Sequence, residues 1–232
     1  NINAAWYEQY ALDLLQVLFQ KHKTVVLVGG TGLYIKALLE GLDNMPDIPD
    51  AIREKVIDIY FQKGLEALHK ILELQHDPFI EKGEMLNPQR VMRAVEVLLH
   101  TGKSIIEFKR GVKAHRSFTT YFFGLEMDRS LLYQRINARV DAMIHGGLLK
   151  EVEELLLYKH LNALQTVGYK ELFSYLENEC SLDFAIEEIK KNTRHYAKRQ
   201  MTWFKKQQGV AWLNTAQKQD NINSVLQIVP HL

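Results

Sequence analysis

Apolar residues recur at helical spacing through the opening segment AAWYEQYALDLLQVLFQKHK, at Trp6, Tyr10, Leu14 and Leu18, and predict an amphipathic helix. The pattern then changes. Val25–Val28 is an unbroken apolar run, mostly β-branched and too short for a helix, and it reads as a buried parallel strand. It runs into a glycine turn, Gly29-Gly30-Thr31-Gly32, and a further helical stretch. Helix, strand, turn and helix in that order predict an α/β sheet protein.

From Asn44 the texture is different. MPDIPD is a proline-marked linker, followed by two helical segments, Ala51–Gln62 and Gly64–Gln75. NPQRVMRAVEVLLHTGKS predicts a third helix, with Asn87 as N-cap, Pro88 at its first position and Gly102 at its end. The apolar stripe of that helix is Val91, Ala94, Val95 and Leu98. The next strand-like run is Thr119–Met127, so residues 46–117 read as a helical insertion between two segments of one core, 1–45 and 118–232. Helices follow at Arg129–His145, Leu148–Lys159, Gly168–Glu177 and Leu182–Gln207, then a short strand, Val210–Asn214.

A glycine turn between a strand and a helix often holds phosphate, because backbone N–H groups can approach an anion there. The usual signatures are absent from the 232 residues. No Walker A pattern occurs, and the dinucleotide pattern fails because the third residue after Gly32 is Ile35.

Composition narrows the class. The chain is 47% apolar and 25% charged, which is ordinary for a globular protein. It has no apolar run long enough to cross a bilayer. One cysteine, Cys180, excludes an internal disulfide framework and a cysteine-rich zinc site, and fits a reducing compartment. The histidines lack metal-ligand spacing, so a metal cage built from protein ligands is not expected. Net charge is only +1, yet no acidic residue lies between Glu188 and Asp220. Lys190, Lys191, Arg194, Lys198, Arg199, Lys205, Lys206 and Lys218 fall in that interval, which suggests either an anionic partner or a solvated basic face.

Arg135 and Arg139 lie four apart and share a helical face. Two guanidiniums so arranged can clamp a diphosphate; the competing reading is an ion pair with Asp141 or Glu151. Gln89, Arg90 and Arg93 carry groups suited to base edges and phosphates, or to ordinary helix capping. In RHYAKRQMTWFKK, Arg194, Lys198, Met201 and Lys205 would form one face, interleaved with Tyr196, Trp203 and Phe204. Cations with aromatics suit nucleic acid, although aromatics on a helix also serve as core.

Taken together, VGGTGLYIKALLEGL, NPQRVMRAVEV, RINARVDAMIHGGLLKEVEELL, LNALQTVGYKELFSYL, RHYAKRQMTWFK and GVAWLN resemble the tRNA dimethylallyltransferases, also called tRNA isopentenyltransferases, in order and spacing. The resemblance covers almost the whole chain. It implies a P-loop NTPase-like parallel sheet core, incomplete at its N-terminal side here, with an all-helical insertion that grips the anticodon stem-loop of tRNA. The family's phosphate loop, and the Asp-Ser segment carrying its general base, would lie upstream of Asn1, so this chain alone is expected not to catalyse. The reaction implied is attack by N6 of the adenosine beside the anticodon on C1 of dimethylallyl diphosphate, with Mg²⁺ accompanying the diphosphate.

By the same resemblance, Arg139 contacts diphosphate with support from Arg135, and Thr31 lies in the channel near the adenosine. The tRNA-contacting positions would be Thr31, Arg53, Gln89, Arg90, Val91, Met92 and Arg93, then Gln165, Thr166, Val167, Gly168, Tyr169 and Lys170. Lys198, Arg199, Gln200, Met201, Thr202, Trp203, Phe204 and Lys205 complete the set. A cytoplasmic monomer is expected, without membrane attachment. The alternatives left open are a non-catalytic RNA-binding module, a P-loop small-molecule kinase, and a protein scaffold.

Overall fold

The computed structural model describes residues 3–109 and 111–229. Eleven α-helices and two strands run along the described chain. They divide into two compact units, one comprising the chain up to Gln9 with Lys36–Ser117, the other Tyr10–Ile35 with the chain from Phe118 onwards. The expected insertion, 46–117, falls inside the first.

In the first unit, α3 (Asp50–Leu74) is broken at Gly64, whose φ of 74° and extended ψ interrupt the helix where the sequence divides into two segments. After the short α4 (Phe79–Lys82) comes α5 (Pro88–Thr101), begun as expected: the Asn87 side chain accepts from Arg90 N at 3.3 Å, and Pro88 takes the first position. Its stripe of Val91, Ala94, Val95 and Leu98 is buried. With Val56, Leu68, Leu72, Phe79 and Ile105 of α6 (Ile105–Phe108), that stripe forms the core of this unit. The proline-marked segment is more than a linker, because Ile48 is buried in the same core.

The second unit holds a two-stranded parallel sheet. β1 (Phe122–Glu126) pairs with β2 (Val210–Asn214), Phe122 facing Val210 and Glu126 facing Asn214. Between them run α7 (Arg129–His145), α8 (Leu148–Glu154), α9 (Tyr169–Leu176) and α10 (Leu182–Phe204); three match the predicted helices to within a turn, whereas α8 stops short of the expected Lys159 where the chain tightens into a 3₁₀ turn. Two short 3₁₀ turns, Leu156–Tyr158 and Asn162–Leu164, join α8 to α9. Val140, Leu148, Val152, Leu172, Phe173, Ala185 and Ile189 form the core of these helices. Asp128 caps α7, and its carboxyl is held below its ordinary value by the Ser130 hydroxyl and the N–H groups of Leu131 and Ser130. A last helix, α11 (Lys218–Ile228), was not foreseen.

Two expectations fail. Val25–Val28 is not a strand: among the described residues nothing pairs with it, and Val26 and Val28 stand 77% and 89% exposed. An apolar run predicts burial, but a strand also requires a neighbour for its backbone ladder. The opening helix, α1 (Ala4–Phe19), forms, yet its predicted stripe is rotated. Trp6, Tyr10 and Leu14 are exposed, while Ala11 is buried and Leu15 and Leu18 are partly covered. The glycine turn leads into α2 (Gly32–Glu40), whose first backbone bonds run from Tyr34 N and Ile35 N to Thr31 O at 3.0 and 3.2 Å.

Candidate functional site

The second unit gathers Thr31, the α7 arginines, the 165–170 segment and the end of α10. The first unit holds Arg53 and Gln89–Arg93.

α10 begins with Ser181 accepting from Phe184 N and ends against the sheet. The Phe204 ring meets Phe122 of β1 edge-on at 6.0 Å, and Lys205 Nζ stands 5.8 Å over the Trp212 ring of β2. The predicted basic face is divided. Arg194 is partly buried, donating to Asn137 Oδ1 of α7 at 2.7 Å and lying over the Tyr133 ring, so this guanidinium binds helix to helix. Lys190 pairs with Asp141 and Glu187, and Lys191 with Glu188. Lys198 and Arg199 remain exposed without ion pairs among the described residues, and Lys205 has only a 3.7 Å approach to Glu126. Of this predicted face, the cations left open to an anion therefore sit at the C-terminal end of α10.

Arg135 and Arg139 both project from α7 into solvent. Arg135 reaches only Met127 Sδ at 3.8 Å, and Arg139 has no ion pair among the described residues. The competing reading fails on partners, because both acids are engaged elsewhere. Asp141 Oδ1 is 2.9 Å from Lys190 Nζ, and Glu151 accepts from the Tyr169 hydroxyl.

The 165–170 segment is held at both ends. Gln165 donates to Lys159 O at 2.6 Å, and Gly168 N donates to Glu171 Oε2 at 2.8 Å. Glu171 Oε1 accepts from Asn192 Nδ2 of α10 at 2.7 Å. Neither Glu171 nor Asn192 was singled out from the sequence; Glu three residues after Gly168 is the capping pattern that could have found the first. The Tyr169 phenol is held above its ordinary value, chiefly by its hydrogen bond to the Glu151 carboxylate. Lys170 and Thr166 are exposed, and Val167 packs against the helix core.

In the first unit Gln89 and Arg90 are exposed at the head of α5, with Arg90 paired to Glu84. Arg93 divides its fork between Glu96 and Pro46 O, both at 3.2 Å. Arg53 lies 3.7 Å from Asp50. Val91, expected to touch tRNA, has no exposed surface, since it belongs to the α5 stripe; Met92 is partly covered.

Among the described residues no group of three or more His, Cys, Asp or Glu side chains could hold a metal ion. No described helix is long and apolar enough to cross a membrane.

The family model described as IPP transferase matches residues 1–207. The chain belongs to that family. It is 42% identical over 231 residues to tRNA dimethylallyltransferase 1 of Bacteroides thetaiotaomicron, covering 99% of this chain and 75% of the relative. It is 47% identical over 214 residues to the tRNA dimethylallyltransferase of Flavobacterium psychrophilum, covering 90% and 70%. Among solved structures it is similar to the tRNA delta(2)-isopentenylpyrophosphate transferase of Staphylococcus epidermidis, with TM-score 0.63, 30% identity and coverage of 99% and 77%. A eukaryotic dimethylallyltransferase acting on tRNA matches with TM-score 0.71 and 27% identity, covering 97% of this chain and 60% of that one. This family of prenyltransferases accounts for the α/β fold with its small parallel sheet. β2 and α11 lie beyond the matched residues.

Proposed function

We propose that this chain carries the tRNA-gripping and diphosphate-binding parts of a tRNA dimethylallyltransferase built on a P-loop-type core. The observation that carries the reading is Arg139, an exposed guanidinium without an ion pair among the described residues, in the same unit as Thr31 and the cationic end of α10. In the proposed reaction the N6 amine of the adenosine beside the anticodon attacks C1 of dimethylallyl diphosphate. The C–O bond to the diphosphate breaks and pyrophosphate departs. Negative charge grows on its oxygens, and a preoriented cation there lowers the barrier. Arg139 has that role, with Arg135 one turn away in support. Mg²⁺ would enter with the diphosphate and not on a cage of these side chains.

Lys198, Arg199 and Lys205 meet phosphates of the anticodon stem-loop, as do the exposed groups of Gln165–Lys170. Arg53, Gln89, Arg90 and Arg93 serve the same RNA from the helical unit. A tRNA substrate implies work in the cytoplasm, and a monomer suffices. Prenyl transfer further needs a phosphate loop and a general base; these 232 residues contain no Walker pattern, and we expect residues 1–232 alone not to turn over.

The target adenosine must leave the loop stack to be alkylated at N6. A fluorescent adenine analogue at that position of an anticodon stem-loop should brighten when the chain binds. Binding without brightening would argue for an RNA-binding module that leaves the base stacked.

A further inference from the structure

Gln200 and Trp203 were expected to face RNA, but their side chains are spent on the glycine turn. Gln200 Nε2 donates to Gly30 O at 2.9 Å. A β-carbon on Gly30 would stand 2.4 Å from that same nitrogen, and one on Gly32 would stand 2.4–2.7 Å from three ring carbons of Trp203. The end of the Gln200 side chain can swing away from a methyl group, but the Trp203 ring cannot easily do so, so Gly32 is the glycine that lets the turn lie on α10. Gln200 and Trp203 are three apart and share a helical face. Lys198 and Arg199 are left to solvent, and Lys205 lies 3.7 Å from Glu126.

We infer that Gln200 and Trp203 are positioning residues that brace the backbone on either side of Thr31. Among the described residues no strand ladder holds the turn on its upstream side, because Val25–Val28 pairs with nothing. Downstream, Thr31 O caps α2 through Tyr34 and Ile35. The brace is itself anchored: the Trp203 ring meets Phe204 edge-on at 4.8 Å, and Phe204 meets Phe122 of the sheet. A chain of packed groups thus runs from β1 through α10 to the backbone that presents the exposed Thr31 side chain. At Gly32 the glycine serves close approach to a helix. The functional consequence rests on the proposal that Thr31 faces the reacting adenosine; the brace does not.

Hydrogen exchange at the Tyr34 and Ile35 amides tests the brace without RNA. Gln200→Ala and Gly32→Ala should each speed exchange by about 10-fold, the loss expected when one hydrogen bond or close contact holding a local segment is removed. Gly32→Ala should cost markedly less in a Trp203→Leu background, because the smaller side chain makes room for the methyl group. Exchange unchanged in both single variants, or strictly additive effects of Gly32→Ala and Trp203→Leu, would overturn the brace. In parallel, Gln200→Ala should diminish the brightening of the adenine analogue while changing stem-loop affinity by no more than about 2-fold, a surface-contact scale. Faster exchange with full brightening would uphold the brace and remove Thr31 from the adenosine.

Discussion

Lys190 of α10 holds the Asp141 carboxylate of α7 at 2.9 Å, and so occupies the acid two positions from Arg139. Asp141 and Glu187 together raise the Lys190 ammonium above its ordinary value. Arg139 is thereby left exposed with its fork unspent. Arg139→Ala should weaken pyrophosphate binding by about 10-fold or more, following the ~1.5–3 kcal/mol of a hydrogen bond to a charged group. In an enzyme that also carries the phosphate loop and general base, turnover should fall about 10²-fold or more, the scale for losing one oxyanion donor. Arg139→Lys should not restore it, since a point charge lacks the fork. Arg135→Ala should cost less. Calorimetry with pyrophosphate checks this, and equal affinity in wild type and Arg139→Ala would remove the assignment.

The head of α5 depends on Asn87. Asn87→Ala removes the acceptor for Arg90 N and should cost about 1 kcal/mol, hence about 5-fold faster exchange at the Arg90 amide. Asn87→Ser should retain most of the protection. Exchange that does not respond would mean that core packing alone holds this end.

Tyr169 supplies a pH signature. Its neutral phenol donates to Glu151, so the folded form binds that proton more tightly than the unfolded chain does. The stability this provides is complete below the ordinary tyrosine value and disappears as pH rises through the raised one. Ring NMR shifts should report Tyr169 titrating above a free tyrosine, and Glu151→Gln should bring it down. An unchanged midpoint in Glu151→Gln would contradict the hydrogen bond as the cause.

What could be read in the sequence was what depends on near neighbours. Asn87, Pro88 and the stripe from Val91 to Leu98 specify α5 within a few turns, and Gly64 marks the break in α3. β2 was legible as VAWLN, and β1 within Thr119–Met127. Val25–Val28 was not, because an apolar run carries no record of which strand would pair with it. The seat of Gly30 on Gln200 joins residues 170 positions apart, and periodicity cannot report such a contact. Resemblance supplied candidate residues, but only the structure separates Lys198 and Arg199, turned to solvent, from Arg194, taken up by Asn137.

The most direct measurement is the affinity of the chain for an anticodon stem-loop across a range of salt concentrations, for wild type and for Lys198→Ala/Arg199→Ala/Lys205→Ala. Each phosphate contact contributes a slope of about −0.7 to −0.9 in log affinity against log salt. The account predicts binding that weakens with salt in wild type. In the triple variant it predicts weaker binding and a slope shallower by about two to three units. Equal affinities and equal slopes in the two proteins would contradict the end of α10 as an RNA-binding face.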